Sequence, residues 1–345
     1  MSDSYIEVIA PGPLSHVQDL GRDGWRHLGI ARSGALDPGC AALANVLVGN
    51  DVEAAVLEFT LHGPSLRLSR PLRIALMGAA CDVRFEGDAL PQARPIDLPA
   101  GNLRLGGMRE GVYAWLAVQG GFDLPRVLGS RATDLRGGFG GFEGRTLRAG
   151  DRLPLGPHTR IDATRPRVPG WWIDPYCEHE PPAPIRYRAS QAPAMREAAR
   201  QFGERVWRVH AASNRQGLRL SGTALANAAG SSSPQNGSSK NGPPKNSSSK
   251  NSRSQNNLSE PVAPGTIQLP PDGQPIVLLA DAQTVGGYPR LGHVIAADLP
   301  RLAQAGPNAG LRFRACDADE AAAAARTARA EIARLRLAIE ARLRR

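Results

Sequence analysis

Short apolar runs fenced by glycine and proline recur through both halves of the chain, a pattern that predicts strands more than helices. Tyr5 to Ala10 alternates polar and apolar side chains and reads as a first strand, stopped by Pro11-Gly12-Pro13. Further strands are predicted at Val56 to Leu61, Leu66 to Leu68, Leu72 to Met77, Cys81 to Phe85, Val112 to Val118, Val206 to Ala211 and Ile267 to Leu269. Ile276 to Ala280 is apolar throughout, as expected of a strand buried on both faces. Helical spacing is rarer. Asp37-Pro38 is a helix start, with the carboxylate as N-cap and proline at the first helical position. Cys40, Leu43, Ala44, Leu47 and Val48 then mark one buried face, and Gly49 ends it. Ser190 to Phe202 has room for a second helix. Near the end Asp317 and Glu320 form a capping box, and Ile332, Leu335, Ile339 and Leu343 draw a narrow apolar stripe among arginines. That stripe predicts a peripheral helix lying against the body or a partner. The expected architecture is therefore mainly β in two lobes, 1–169 and 170–315, followed by an arginine-rich helix over 316–345.

Composition sharpens this picture where charge is concerned. The formal charge is +10, but Gly230 to Asn257 contributes +4 and Arg326 to Arg345 contributes +5, leaving +1 for everything else. A nucleic-acid groove needs a basic face on the fold itself, so no nucleic-acid partner is expected. The stretch 230–257 has no apolar anchor to offset its ordering entropy, and it is expected to be a disordered insert in a loop of the second lobe. All three lysines, Lys240, Lys245 and Lys250, fall inside it. The remaining body therefore has no lysine for a Schiff base, a P-loop or biotin attachment, and any fixed cation at a site must be arginine.

Cys40, Cys81, Cys177 and Cys316 are far apart and show no CxxC pairing, which predicts free thiols in a reducing compartment. Cys177, His179 and Glu180 lie among prolines with no second ligand pair, so no metal site is expected. The first residues lack a secretory signal and no apolar run reaches spanning length, so the protein is expected to be soluble and cytoplasmic.

The candidate chemistry sits in polar, glycine-bearing loops next to the predicted strands. Gln18, Asp19 and Arg22 follow the first strands; Ser130, Arg131 and Asp134 precede the loop Gly137 to Gly141; Ser213, Asn214 and Arg215 precede Gly217. The fourth loop, after Ile276 to Ala280, holds Asp281, Gln283, Thr284, Gly286, Gly287 and Tyr288. Strand ends of a barrel are where such loops meet, and a small-molecule site is expected there. Asp281 is the candidate base or orienting carboxylate, Arg131 and Arg215 the fixed cations, and Gly286 and Gly287 the backbone N–H donors. The plainer alternatives are polar-capped turns and structural Arg–Asp pairs. A dinucleotide loop is excluded after Asp134, because Glu143 breaks the GxGxxG spacing and no helix follows.

Long motifs in these regions carry a family resemblance. PGPLSHVQDLGRDGW, SGALD with ANVLVGN, AVQGGFDLPRVLGSRATDLRGGFGG, SNRQGLRL and VAPGTIQLPPDGQPIVLLADAQTVGGYPRLGHVIAADL resemble, in order, the motifs of KipA-like proteins. That family belongs with the biotin-dependent carboxyltransferases. It takes in the C subunit of 5-oxoprolinase, the protein long labelled allophanate hydrolase subunit 2, and part of the carboxyltransferase region of urea carboxylase. The resemblance covers Ile6 to Phe313; the insert and the arginine-rich last turns are not recognised features of it. It implies cyclophilin-like β-barrels and association with a KipI-like protein, which is the B subunit of 5-oxoprolinase, and with the A subunit of the same enzyme. It further implies an ATP-dependent opening of 5-oxo-L-proline to L-glutamate, active only in that complex, with ATP bound by the complex and no biotin attached to this chain. Two alternatives stand beside it: a carboxyltransferase component of a urea carboxylase-like enzyme, and a non-catalytic regulator that binds a KipI-like protein.

Overall fold

The computed structural model describes residues 4–157, 159–174, 183–225 and 259–344. The insert 230–257 with its lysines, and the Cys177, His179, Glu180 segment, lie outside the described residues. The chain is mainly β, with a half-barrel sheet, a closed barrel and a C-terminal helix.

The first sheet is built from β1 (Tyr5–Ala10), β2 (Ser15–Gln18), β3 (Val56–Thr60), β4 (Ser65–Leu68), β5 (Leu72–Phe85), β6 (Asp88–Ala89), β7 (Ile96–Leu98), β8 (Gly101–Val118) and β9 (Arg152–Pro154). Its order is β2-β3-β8-β4-β1-β9, with β5 pairing to β8 and carrying β6 and β7. The pattern of apolar runs predicts a break between Met77 and Cys81, yet β5 is one strand of 14 residues. Gly78, at φ +99°, and register shifts from Gly78 to Val83 bend it without ending its pairing to β8. The Gly78-Ala79-Ala80 stretch there is a bulge, which apolar periodicity alone cannot tell from a turn. For the same reason β8 starts at Gly101, well before the predicted Val112, because its first half alternates exposed and buried residues and lacks a continuous apolar signal.

The second lobe comprises β10 (Ile185–Ala189), β11 (Val206–Val209), β12 (Gly217–Ser221), β13 (Glu260–Pro261), β14 (Thr266–Gln268), β15 (Ile276–Leu278), β16 (Val285–Gly286), β17 (Arg290–Val294) and β18 (Gly310–Ala315). Seven of them close a barrel in the order β10-β17-β14-β15-β12-β11-β18, sealed by a parallel pairing of Ile185 with Phe313. The remaining two, β13 and β16, pair antiparallel as a separate two-stranded sheet. Tyr187, Trp207 and Phe313 of the barrel strands pack edge-on or tilted against the buried Phe202, with the Phe202 and Phe313 centroids 4.5 Å apart.

Four α-helices, α1 (Pro38–Val48), α2 (Arg196–Glu204), α3 (Leu299–Ala303) and α4 (Ala318–Leu343), and two short 3-10 turns, Arg26–Leu28 and Pro193–Met195, complete the described chain. Both predicted N-cap carboxylates are in place, while the Glu320 carboxylate, expected to complete a capping box, pairs with Arg314. Asp37 accepts from Cys40 N at 2.9 Å, and Asp317 accepts from Glu320 N at 2.8 Å. The α4 stripe is buried at Leu335 and Ile339 and lies on α1, with Ile332 against Gly39. No described helix is long and apolar enough to cross a membrane.

One apolar cluster joins the lobes. It runs from Leu43 and Leu47 of α1, through Trp115 of β8, to Trp207 and Ile267 of the barrel. Polar clamps fix its edges. Gln304, just after α3, accepts from Val112 N at 2.8 Å and Tyr113 N at 3.2 Å and returns a bond to Tyr113 O at 2.9 Å. Because α1 is buried between sheet and α4, its cap carries weight. Asp37→Ala is expected to cost about 1 kcal/mol, read as a lower urea midpoint at unchanged slope, while Asp37→Asn retains most of it.

Candidate functional site

A glutamate in the middle of a strand with no exposure sets the site. Glu58 sits in β3, paired across the sheet to His16 of β2 and to Trp115 of β8, so the three side chains share one face. All three are buried, at 0% exposure. Burying a carboxylate is costly unless it is hydrogen-bonded and paired. Glu58 accepts from Trp115 Nε1 at 2.8 Å and from Leu36 N at 3.0 Å, and the Arg215 guanidinium of the second lobe meets its other oxygen.

Arg215 lies in the loop before β12, and each of its three nitrogens is engaged. Its Nε and Nη2 donate to Asp281 Oδ2 and Oδ1 at 2.8 and 3.0 Å, Nη2 also donates to Gly34 O at 2.7 Å, and Nη1 donates to Glu58. The two loops are locked by their backbones as well, since Asp281 N donates to Arg215 O at 3.0 Å. Both oxygens of Asp281 are therefore occupied by one fork, the bidentate geometry that arginine alone supplies. Burial pulls Arg215 toward the neutral form, but Asp281 and Glu58 outweigh it and raise its pKa above the ordinary value. Burial, helped by Glu58, pushes the Tyr113 phenol up to about 12. His16 faces Glu58 at 3.6 Å, yet burial first and Arg215 second hold its pKa well below the usual value, so the ring is neutral.

The first-lobe loops gather beside this network. Gln18 Nε2 donates to Thr133 O at 3.1 Å, and Gln18 Oε1 accepts from Gly34 N at 3.0 Å, next to the carbonyl that Arg215 holds. Asp19 accepts from Gly21 N, Ser130 Oγ and Arg131 N at 2.8, 2.7 and 2.5 Å. Asp134 accepts from Arg136 N and Gly137 N at 3.1 and 2.8 Å. Arg22 donates through Nη2 to Ala132 O and lies over the Phe139 ring, 4.8 Å from its centroid. Ser33 N donates to Ala280 O at 3.1 Å, which stitches the first-lobe cluster to the Asp281 loop.

Thus Gln18, Asp19, Arg22, Ser130, Asp134, Arg215 and Asp281 converge at the boundary between the lobes. Arg131 joins them through its backbone N–H, while its guanidinium turns to Leu124 O at 2.6 Å and Asp123 at 3.8 Å. Ser213 and Asn214 hold their own turn, through Arg219 N at 3.0 Å and Gln216 N at 2.9 Å. Gln283 reaches Gln268 at 3.5 Å, Thr284 O accepts from Val262 N at 2.9 Å, and Gly286 pairs with Glu260 where β16 meets β13, ahead of Gly287. Tyr288 is exposed and lines a separate cleft of about 580 Å³ with His210 and Arg219. Among the described residues no group of three metal-ligating side chains comes together.

Sequence reasoning misses Glu58, His16 and Trp115. The available signal is a lone acid inside the apolar run Val56 to Leu61, since a charge on a strand buried on both faces demands a buried partner. Two outcomes test the energetics. Arg215→Met strands two buried carboxylates and is expected to lose about 3–5 kcal/mol, measured by denaturant titration, with much of it recovered when Glu58→Gln and Asp281→Asn are added. His16 is neutral in the folded chain and has an ordinary pKa when unfolded, so the unfolded state alone gains a proton as pH falls below about 6.5. Stability should fall between pH 7.5 and 5.5 by an amount on the order of 1 kcal/mol that His16→Gln lacks.

This architecture and sequence have relatives. The chain is 36% identical to the C subunit of 5-oxoprolinase from Escherichia coli, over 92% of its own length and 93% of that protein's. It is 31% identical to the C subunit of 5-oxoprolinase from Haemophilus influenzae, over 92% and 93% respectively. The crystal structure of the Kluyveromyces lactis urea carboxylase superposes with a TM-score of 0.81 at 27% identity, covering 96% of this chain but 29% of that one. Residues 28–315, which hold β3, β8, Arg215 and Asp281, match the carboxyltransferase domain, subdomain A and B, and the chain belongs to that family.

Proposed function

We propose that this chain is the C subunit of a cytoplasmic, ATP-dependent 5-oxoprolinase, which opens 5-oxo-L-proline to L-glutamate together with the A and KipI-like B subunits. The observation that carries this reading is the end-to-end correspondence with the C subunit of E. coli 5-oxoprolinase, 36% identity across 92% of one chain and 93% of the other. A second reading, as the carboxyltransferase part of a urea carboxylase-like enzyme, is favoured by the TM-score of 0.81 to the K. lactis enzyme. Opening a lactam attacks its carbonyl carbon, so negative charge grows on oxygen and fixed N–H donors lower the barrier, whereas carboxylation of urea forms its new bond at a urea nitrogen and uses such donors only to hold the carbonyl.

In this reading the parts of the site divide their labour. Asp281 orients Arg215, since both its oxygens are taken, and Arg215 with Glu58 holds the two lobes in register. The body lacks a lysine that could carry biotin or grip ATP in a P-loop, so nucleotide is bound within the complex by other means. Reconstituting the chain with its KipI-like and A partners tests the assignment. Glutamate should appear from 5-oxoproline only with ATP and only when this chain is present. Biotin-dependent carboxylation of urea in place of glutamate formation would move the assignment to the second reading. Tight binding to the KipI-like protein with no turnover would make this chain a regulator.

A further inference from the structure

With every Arg215 nitrogen engaged and the Arg131 side chain turned elsewhere, Arg22 keeps two donor nitrogens in reserve among the converging loops. It is 1% exposed, yet its Nε and Nη1 have no hydrogen-bond partner among the described residues. Ser33 Oγ, at 0% exposure, also lacks one. The two residues lie on neighbouring segments, because Arg22 N donates to Arg32 O at 2.8 Å, and Ser33 N is fixed to Ala280 O beside Asp281. Arg22 cannot swing away. Phe139 covers one face, and Gly140 lies so close that an added Cβ would stand 2.7 Å from Nη2. A buried charged donor left unmade costs about 1–3 kcal/mol or more, and such a group calls for an occupant.

The surroundings select that occupant's charge. Burial lowers the Arg22 pKa, and Asp134, Asp19 and Asp281 are the charges that oppose it. An anionic group brought to Arg22 would meet those three carboxylates as well. A neutral carbonyl oxygen accepts the same N–H bonds without that repulsion, and gains from them as its carbon is attacked and charge moves onto it.

We propose that the free N–H groups of Arg22, with Ser33 Oγ on the adjoining segment, bind the carbonyl oxygen of a neutral amide-type group: the lactam of an oxoproline-like substrate, or a urea. The lactam identity rests on the 5-oxoprolinase reading; the preference for a neutral carbonyl rests on Arg22 and its neighbours.

Binding of 2-pyrrolidinone, urea, acetate and inorganic phosphate to the full chain and to the reconstituted complex, followed by NMR titration, tests this. Arg22→Met and Arg22→Lys serve as variants, the second keeping charge and stem while losing the planar donors, and melting temperature reports their folding. The neutral ligands should saturate the wild-type protein, weaken at least about 10-fold in both variants, and resist competition by acetate or phosphate. In the complex kcat/KM for 5-oxoproline should fall about 100-fold in Arg22→Lys at a near-native melting temperature. Arg22-dependent binding of acetate or phosphate would overturn the proposal in favour of an anion site. Equal binding of pyrrolidinone and urea to wild type and variants, or no saturable binding to either preparation, would also overturn it. If the complex forms no glutamate while pyrrolidinone and urea still bind through Arg22, the 5-oxoprolinase reading fails and this site stands.

Discussion

Everything at the lobe boundary depends on one buried cation meeting two buried anions. Arg215, gripped by Asp281 of its own lobe, reaches into the first lobe and joins Glu58 and the Gly34 carbonyl. Three ionised groups out of water are costly, and an apolar trio of equal volume would often be at least as stable. What the ionic version supplies is direction. A guanidinium fork fixes both distance and plane, whereas apolar packing tolerates sliding between the lobes. The cluster of Trp115, Trp207 and their neighbours gives the interface its area, and the ionic centre gives it a single register.

That centre also shapes the electrical environment of the loops around it. Two acids of the neighbouring loops, Asp19 and Asp134, are satisfied by backbone N–H groups and a hydroxyl. They stay in place as fixed negative charge without consuming a guanidinium. The arginines therefore differ in what they hold. Arg215 ties the lobes together, the Arg131 side chain braces its own loop, and Arg22 occupies a position with unused donors. A chain whose body has no lysine obtains three cation roles from one residue type by changing what surrounds it.

Much of the architecture was legible in the sequence because local signals agree with tertiary outcome. The caps at Asp37 and Asp317, the α4 stripe, and the polar glycine loops all act over a few residues, and periodicity sees that range. The bulge at Gly78 and the exposed half of β8 were not legible, because a bulged strand and a turn share the same composition and only cross-strand pairing separates them. The loop residues were singled out by their chemistry, but their division into saturated and unsaturated groups depends on contacts across long sequence separations. Arg215 and Glu58 are 157 residues apart, and no local pattern announces their meeting. Glu58 was visible as an anomaly, an acid in an apolar strand, without any sign of which cation it would meet.

The parallel seam between β10 and β18 sets the order in which the molecule can be completed. Ile185 opens the barrel and Phe313 closes it, so the ring of strands stays unfinished until nearly the whole chain is available. Closing such long loops is entropically slow, and contacts of this range delay folding more than they affect final stability. The first-lobe sheet, whose strands end at Pro154, can form earlier and present Glu58 and Trp115 as a template. Arg215 and Asp281 come to rest when the barrel docks on that template. A chain interrupted before β18 would leave the barrel open and its apolar strands as a sticky, unfinished surface.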